Sequence, residues 1–176
     1  MKTFNIKSLA LILFVIVASV KSYAQISKAE IIATGLTCSM CSNAINKQLK
    51  SMPEVDSVST DLNTNTFMVY FKENTLLQPK VLKTAVEKAG FFVGSMVLTI
   101  KFESQKTEDN KTFKFEDGSF IFMEPNNQVL NKETQYKVLD KGFVTQKEYK
   151  KLAKSYSKHP SYTNENENDY HLKALE

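Results

Sequence analysis

The sequence has no arginine, only two cysteines, and no long apolar segment beyond its first two dozen residues. Two cysteines three positions apart exclude a framework of several disulfides. No segment after residue 24 is long and apolar enough to cross a bilayer, which takes roughly 20 residues. An excess of one charge sign is missing too. All 23 basic residues are lysines, and they face 19 acidic residues. Lys2, Lys7 and Lys21 lie in the first 24 residues, which leaves 20 against 19, a net charge of +1. That near-balance argues against nucleic acid as a partner, which requires a clustered basic face.

The N-terminus carries a recognisable layout. Lys2 and Lys7 precede an apolar run of 12 residues from Leu9 to Val20, and Ser22-Tyr23-Ala24 supplies a small–x–small site with Gln25 as the new N-terminus. This is the pattern of a cleaved secretory signal peptide over 1–24, with a retained anchor as the alternative. Gln25, not a cysteine, stands directly after the cleavage site, so no residue there takes a lipid. The expected location is periplasmic in a diderm bacterium and secreted otherwise, with no stable membrane anchor once the signal is removed.

About 150 residues remain, enough for one domain with an appendage or two small ones. Glu30 to Thr34 predicts a strand, broken by Gly35. From Cys41 to Met52 the spacing of Ala44, Ile45, Leu49 and Met52 predicts a helix, closed by Pro53. Val55 to Leu62 and Thr66 to Phe71 predict a hairpin across the Asn63-Thr64-Asn65 turn. Pro79 opens a second helix with Val81, Leu82, Ala85, Val86 and Ala89 on its stripe, and Gly90 stops it. A last strand runs from about Phe92 to Phe102. The fold class is α+β: a ferredoxin-like βαββαβ sandwich over 27–102.

Beyond it the pattern predicts a polar linker at 103–111. A small appendage at 112–158 then combines a hairpin about an Asp117-Gly118 turn with further strand between Gln128 and Leu139. Thr145 and Glu148 predict a capping box opening a helix to about Tyr156. The segment 159–176, rich in Asn and Glu, is expected to be a flexible tail, with residues 170–175 ambiguous.

Chemistry concentrates in Gly35-Leu36-Thr37-Cys38-Ser39-Met40-Cys41, between a strand and a helix start. Amides at a helix N-terminus stabilise thiolates, the form that binds metal. Thiolates select soft ions, and two of them suit a near-linear Cu(I) or Hg(II) site. A structural Zn(II) site usually needs four protein ligands, and the chain lacks a second cysteine pair. The other readings of the spacing are a disulfide in an oxidising compartment and a thiol–disulfide redox pair. Ser42 stands where c-type haem attachment needs histidine.

Cys38 and Cys41 in this loop, Ile45 and Leu49 on the helix, the hairpin from Val55 to Phe71 and Glu87-Lys88-Ala89-Gly90-Phe91 together resemble the heavy-metal-associated domain family. That family includes copper chaperones, modules of metal-transporting P-type ATPases and a periplasmic mercury-binding protein. The resemblance covers 27–101. It implies Cys38 and Cys41 as metal ligands, Cu(I) as the first expected ion with Hg(II) or Zn(II) as alternatives, and metal capture, buffering or transfer without enzymatic turnover. It also implies a metal-transporting membrane protein or an envelope metal carrier as partner. Leu36 replaces the Met of the family's Gly-Met-Thr-Cys-x-x-Cys loop, with similar volume. Phe91 occupies the place of a Lys or Tyr near the metal, where it can shield the ion but cannot donate to it. The alternatives are mercury or other heavy-metal scavenging, and thiol–disulfide oxidoreduction.

The remaining candidates favour plainer roles. Met40 is expected to be a surface or loop-packing residue rather than a third, thioether ligand, and Thr37 either to cap the helix or bond a cysteine sulfur or, equally, to serve only the local turn. His159 and His171 are expected to be bystanders in polar sequence. Phe113, Phe115, Phe120 and Phe122 are expected to form hairpin core, and Lys147, Lys150, Lys151 and Lys154 a solvated helix face.

Overall fold

The computed structural model describes residues 24–36, 39–102, 112–115, 118–124, 133–164 and 166–175. The elements run β1 (Ala24–Thr34), α1 (Ser39–Lys50), β2 (Val55–Asp61), β3 (Thr66–Phe71), α2 (Pro79–Lys88), β4 (Phe92–Phe102), β5 (Thr112–Phe115), β6 (Gly118–Phe122), β7 (Thr134–Val138), α3 (Gln146–Ser155), α4 (Pro160–Thr163) and β8 (Asp169–Ala174). The expected signal peptide before Ala24 and the linker from 103 to 111 lie outside the described residues. Among those residues, no helix is long and apolar enough to cross a membrane.

The first six elements form the βαββαβ unit, with its strands ordered β2-β3-β1-β4 and all neighbours antiparallel. Apolar periodicity explains the assembly. Alternate residues Ala29, Ile31 and Ala33 of β1, and Phe67, Val69 and Phe71 of β3, are buried. Against them α1 brings Ile45 and Leu49, and α2 brings Leu82 and Val86, at helical spacing. The hairpin turns at Asn65, whose φ of 54° is one that asparagine tolerates. β1 is longer than the pattern suggested and pairs with β4 over its whole length, from Ala24↔Phe102 to Thr34↔Phe92.

The expectation of a separate appendage is corrected by the sheet. β7 pairs antiparallel with β4, from Val97↔Lys137 to Ile100↔Thr134, and extends one eight-stranded sheet in the order β2-β3-β1-β4-β7-β8-β6-β5. The apolar core runs through both halves and includes Leu98, Phe120, Tyr136 and Tyr170. Phe120 and Phe122 are buried, with Phe113 and Phe115 packed beside them. Each such fully buried aromatic or leucine stabilises by about 1.5–3 kcal/mol. The hairpin pairs Phe115 with Gly118, so Gly118 belongs to β6 rather than to the expected turn.

The expected flexible tail over 159–176 is also corrected. α4 and β8 lie within it, and β8 sits between β7 and β6, antiparallel to the first and parallel to the second. Tyr170, His171 and Leu172 are buried. The polar residues before them build a turn. Asn168 N–H donates to Asn166 Oδ1 at 3.2 Å, and Asn166 Nδ2 donates to Asp169 Oδ2 at 2.9 Å. Lys80 of α2 reaches the same turn, donating to Asn168 Oδ1 at 2.7 Å.

Candidate metal centre

Two loops meet at one end of the sheet, where Thr34 closes β1 opposite Phe92 at the start of β4. Thr34 Oγ1 donates to the Phe92 carbonyl at 3.3 Å across that junction. The β1–α1 loop begins at Gly35, whose φ of +88° turns the chain away from the strand where a side chain would be strained. Leu36 is partly buried and packs against the core. Thr37 and Cys38 lie outside the described residues.

Cys41 is half-buried in the first turn of α1. Buried Ser42, Ile45 and Leu49 fix the rotation of this helix. Its first turn holds no acidic residue, and Lys47 and Lys50 lie in its last. The amide end therefore keeps its attraction for a negative ligand. Met40 is 82% exposed and so lies at the surface.

The second loop carries Phe91. α2 closes with Gly90 at φ +90°, where Gly90 N–H donates to the Glu87 carbonyl at 2.9 Å and Phe91 N–H to that of Val86 at 3.3 Å. This aims Phe91 back at the first loop. A Cβ placed on Gly35 would lie 3.9 Å from Phe91 Cδ1. The ring thus covers the approach to the strand end from which the cysteine loop departs.

A family model described as the heavy-metal-associated domain matches residues 30–92. This segment is a heavy-metal-associated domain. Similar solved structures include the yeast copper transporter domain CCC2A, studied in apo and Cu(I)-loaded states. It is 29% identical, over 37% of this chain and 88% of that one, with a TM-score of 0.33. The N-terminal domain of a potential copper-translocating P-type ATPase from Bacillus subtilis is 28% identical, over 47% of this chain and 95% of that one, with a TM-score of 0.34. No curated protein matches the chain.

Outside the heavy-metal-associated domain, Lys147, Lys150, Lys151 and Lys154 are exposed on α3, as expected. The two histidines are not the solvated bystanders that were expected. His171 is buried on β8, with β4 and β7 between it and β1, and it shares a hydrogen-bonded cluster with His159. The alternation of Tyr170, Leu172 and Ala174 signalled a strand, but nothing local signalled that His171 between them is buried as well. Among the described residues, no group of three or more His, Cys, Asp or Glu side chains is placed to hold a metal ion.

Proposed function

We propose that the protein is an exported carrier of a soft metal ion, held between the thiolates of Cys38 and Cys41. The carrying observation is the heavy-metal-associated domain at 30–92, with Cys41 in the opening turn of α1 and Cys38 three positions before it. Two thiolates at the amide end of a helix suit Cu(I), a soft ion content with few ligands. Hg(II) is the alternative cargo with the same chemistry. Phe91 supports a shielded site, because its ring excludes water without adding a competing donor. Lys2, Lys7, the run from Leu9 to Val20 and Ser22-Tyr23-Ala24 support export to a periplasmic or extracellular space. Transfer proceeds by thiolate exchange, with a partner's sulfur replacing Cys38 or Cys41 on the ion, and needs no catalysis. The fitting partner is a metal-transporting membrane protein or an envelope metal carrier that presents soft donors.

A Cu(I) titration of the reduced protein against a chromogenic chelator tests the reading. One equivalent is expected for the wild type and none for the Cys38→Ser, Cys41→Ser variant. Failure of the reduced wild type to compete, together with insulin reduction that depends on Cys38, would replace metal carriage with thiol–disulfide exchange.

A further inference from the structure

His171 is 3% exposed, yet its ring has a polar partner at each nitrogen. Nδ1 lies 2.7 Å from Asp140 Oδ1, and the His171 backbone N–H donates to Asp140 Oδ2 at 2.7 Å. Nε2 faces Ser161 Oγ at 3.0 Å. His159 Nδ1 lies 2.9 Å from the same Ser161 Oγ. Two imidazole nitrogens, one from β8 and one from the residue before α4, thus converge on one hydroxyl. Tyr162 meets the His171 ring edge-on, with centroids 4.9 Å apart, and anchors itself by donating to the Leu139 carbonyl at 2.8 Å.

The protons decide what such a cluster can hold. A carboxylate accepts only, so Asp140 keeps the hydrogen of neutral His171 on Nδ1 and leaves a lone pair on Nε2. Ser161 has a single hydroxyl hydrogen. It can donate to His171 or to His159, not to both. A carboxylate behind one imidazole nitrogen, with the other nitrogen presented to a shared point, is the outer arrangement that orients metal-bound histidines.

We propose that His159 Nδ1 and His171 Nε2, completed by Ser161 Oγ and water, form a second metal site for a borderline divalent ion such as Cu(II) or Zn(II). Imidazole and oxygen donors favour those ions over the soft Cu(I) suited to thiolates. The two ring centroids stand 6.2 Å apart at 87°. Metal–nitrogen bonds of about 2.0–2.1 Å place two imidazole centres roughly 5–6.4 Å apart, so the rings need to turn rather than travel. His159 and Ser161 are half-exposed, which leaves the site reachable from solvent. Asp140, His171 and Ser161 also have the spacing of a nucleophile triad. The second imidazole favours a cation, because a nucleophile triad has no use for a further ring nitrogen at the serine hydroxyl, whereas a metal ion gains a ligand from it.

The test uses the full chain carrying Cys38→Ser and Cys41→Ser, so its result is independent of the thiol site. Cu(II) is added, and binding is followed by electron paramagnetic resonance. One equivalent showing hyperfine coupling to two nitrogens is expected. His159→Ala should leave one coupled nitrogen and weaken binding by about tenfold or more, and Asp140→Asn should weaken it about ten- to a hundredfold. His159 is half-exposed, so its variant should keep the metal-free circular dichroism and melting temperature, and it decides the matter if Asp140→Asn does not fold. Equal binding by wild type and His159→Ala would overturn the site. So would Ser161 labelling by a fluorophosphonate in a protein that binds no Cu(II), which would make the cluster a nucleophile instead.

Discussion

Lys137 Nζ on β7 lies 2.6 Å from Glu148 Oε1 in the first turn of α3. This pairing redirects half of the expected capping box. Thr145 Oγ1 accepts from the Glu148 N–H at 3.2 Å, while the Glu148 carboxylate turns to the sheet. The cap and the ion pair therefore do separable work. Thr145→Ala should cost about 1 kcal/mol by loss of the cap. Glu148→Gln should cost about 0.2–1 kcal/mol, as a partly exposed pair does. Urea denaturation of both variants, with the smaller loss for Glu148→Gln shrinking further in 1 M salt through screening, checks the division.

Phe91 should govern the lability of the ion rather than the stoichiometry. Its ring comes against Gly35 at the root of the cysteine loop. Phe91→Ala should leave one equivalent of Cu(I) bound, yet let a chelator strip it several-fold faster, because water and competing ligands gain access. Phe91→Tyr keeps the ring and should strip no faster than wild type. Stopped-flow transfer to a chromogenic chelator reads both rates. Equal rates in all three proteins would show that the ring does not shield the site.

What was legible in the sequence was what local pattern controls. β3 and β4 have the expected bounds because apolar alternation and the flanking Asn65, Gly90 and Phe92 mark them. Cys41 at a helix start followed from the spacing of Ile45 and Leu49. The joining of the two halves was harder to see, because the pairing of β4 with β7 links residues far apart in the chain. One trace was present: Leu98, Thr99 and Ile100 are consecutive and all buried, the signature of a strand covered on both faces rather than an edge. The tail was misread because Asn166, Asn168 and Asp169 have the composition of disorder but are spent on turn hydrogen bonds. Composition counts such residues without saying where their side chains bond.

Tyr170 gives the fold an alkaline limit. Burial, with Asp140, Glu167 and Asp169 nearby, pushes its phenol up to about 12 from an ordinary value near 10. Tyr162 is pushed up as well, first by burial and then by Asp140. A raised phenol keeps its proton in the folded state after the unfolded chain has begun to lose it. Stability is therefore intact below about pH 10 and falls as the pH rises from there to about 12. Urea midpoints should be flat from pH 7 to 9 and drop above 10. Tyr170→Phe should lessen the drop, and at pH 8 should cost only the long 3.4 Å contact with Gln78 Oε1 and the Lys80 backbone hydrogen bond to the phenol oxygen.

Gly118 tests whether the two halves of the sheet unfold together. A Cβ at this position would clash with the Asn168 carbonyl oxygen and lie 3.0 Å from the Phe115 ring. The carbonyl cannot retreat without loss, because it accepts the Ser119 N–H at 2.9 Å where the parallel β6–β8 pair begins. Gly118→Ala should therefore cost about 1–3 kcal/mol by overpacking. The informative readout is distant. Phe120, Tyr136, Leu98 and Ile31 share one core, so the strain should lower the protection of β1 and β4 amides against hydrogen exchange as much as that of β6 and β8. Equal losses on both sides would make 24–175 one cooperative unit. Loss confined to β6 and β8 would show instead that the heavy-metal-associated domain holds its fold alone and that the rest is an attachment to its β4 edge.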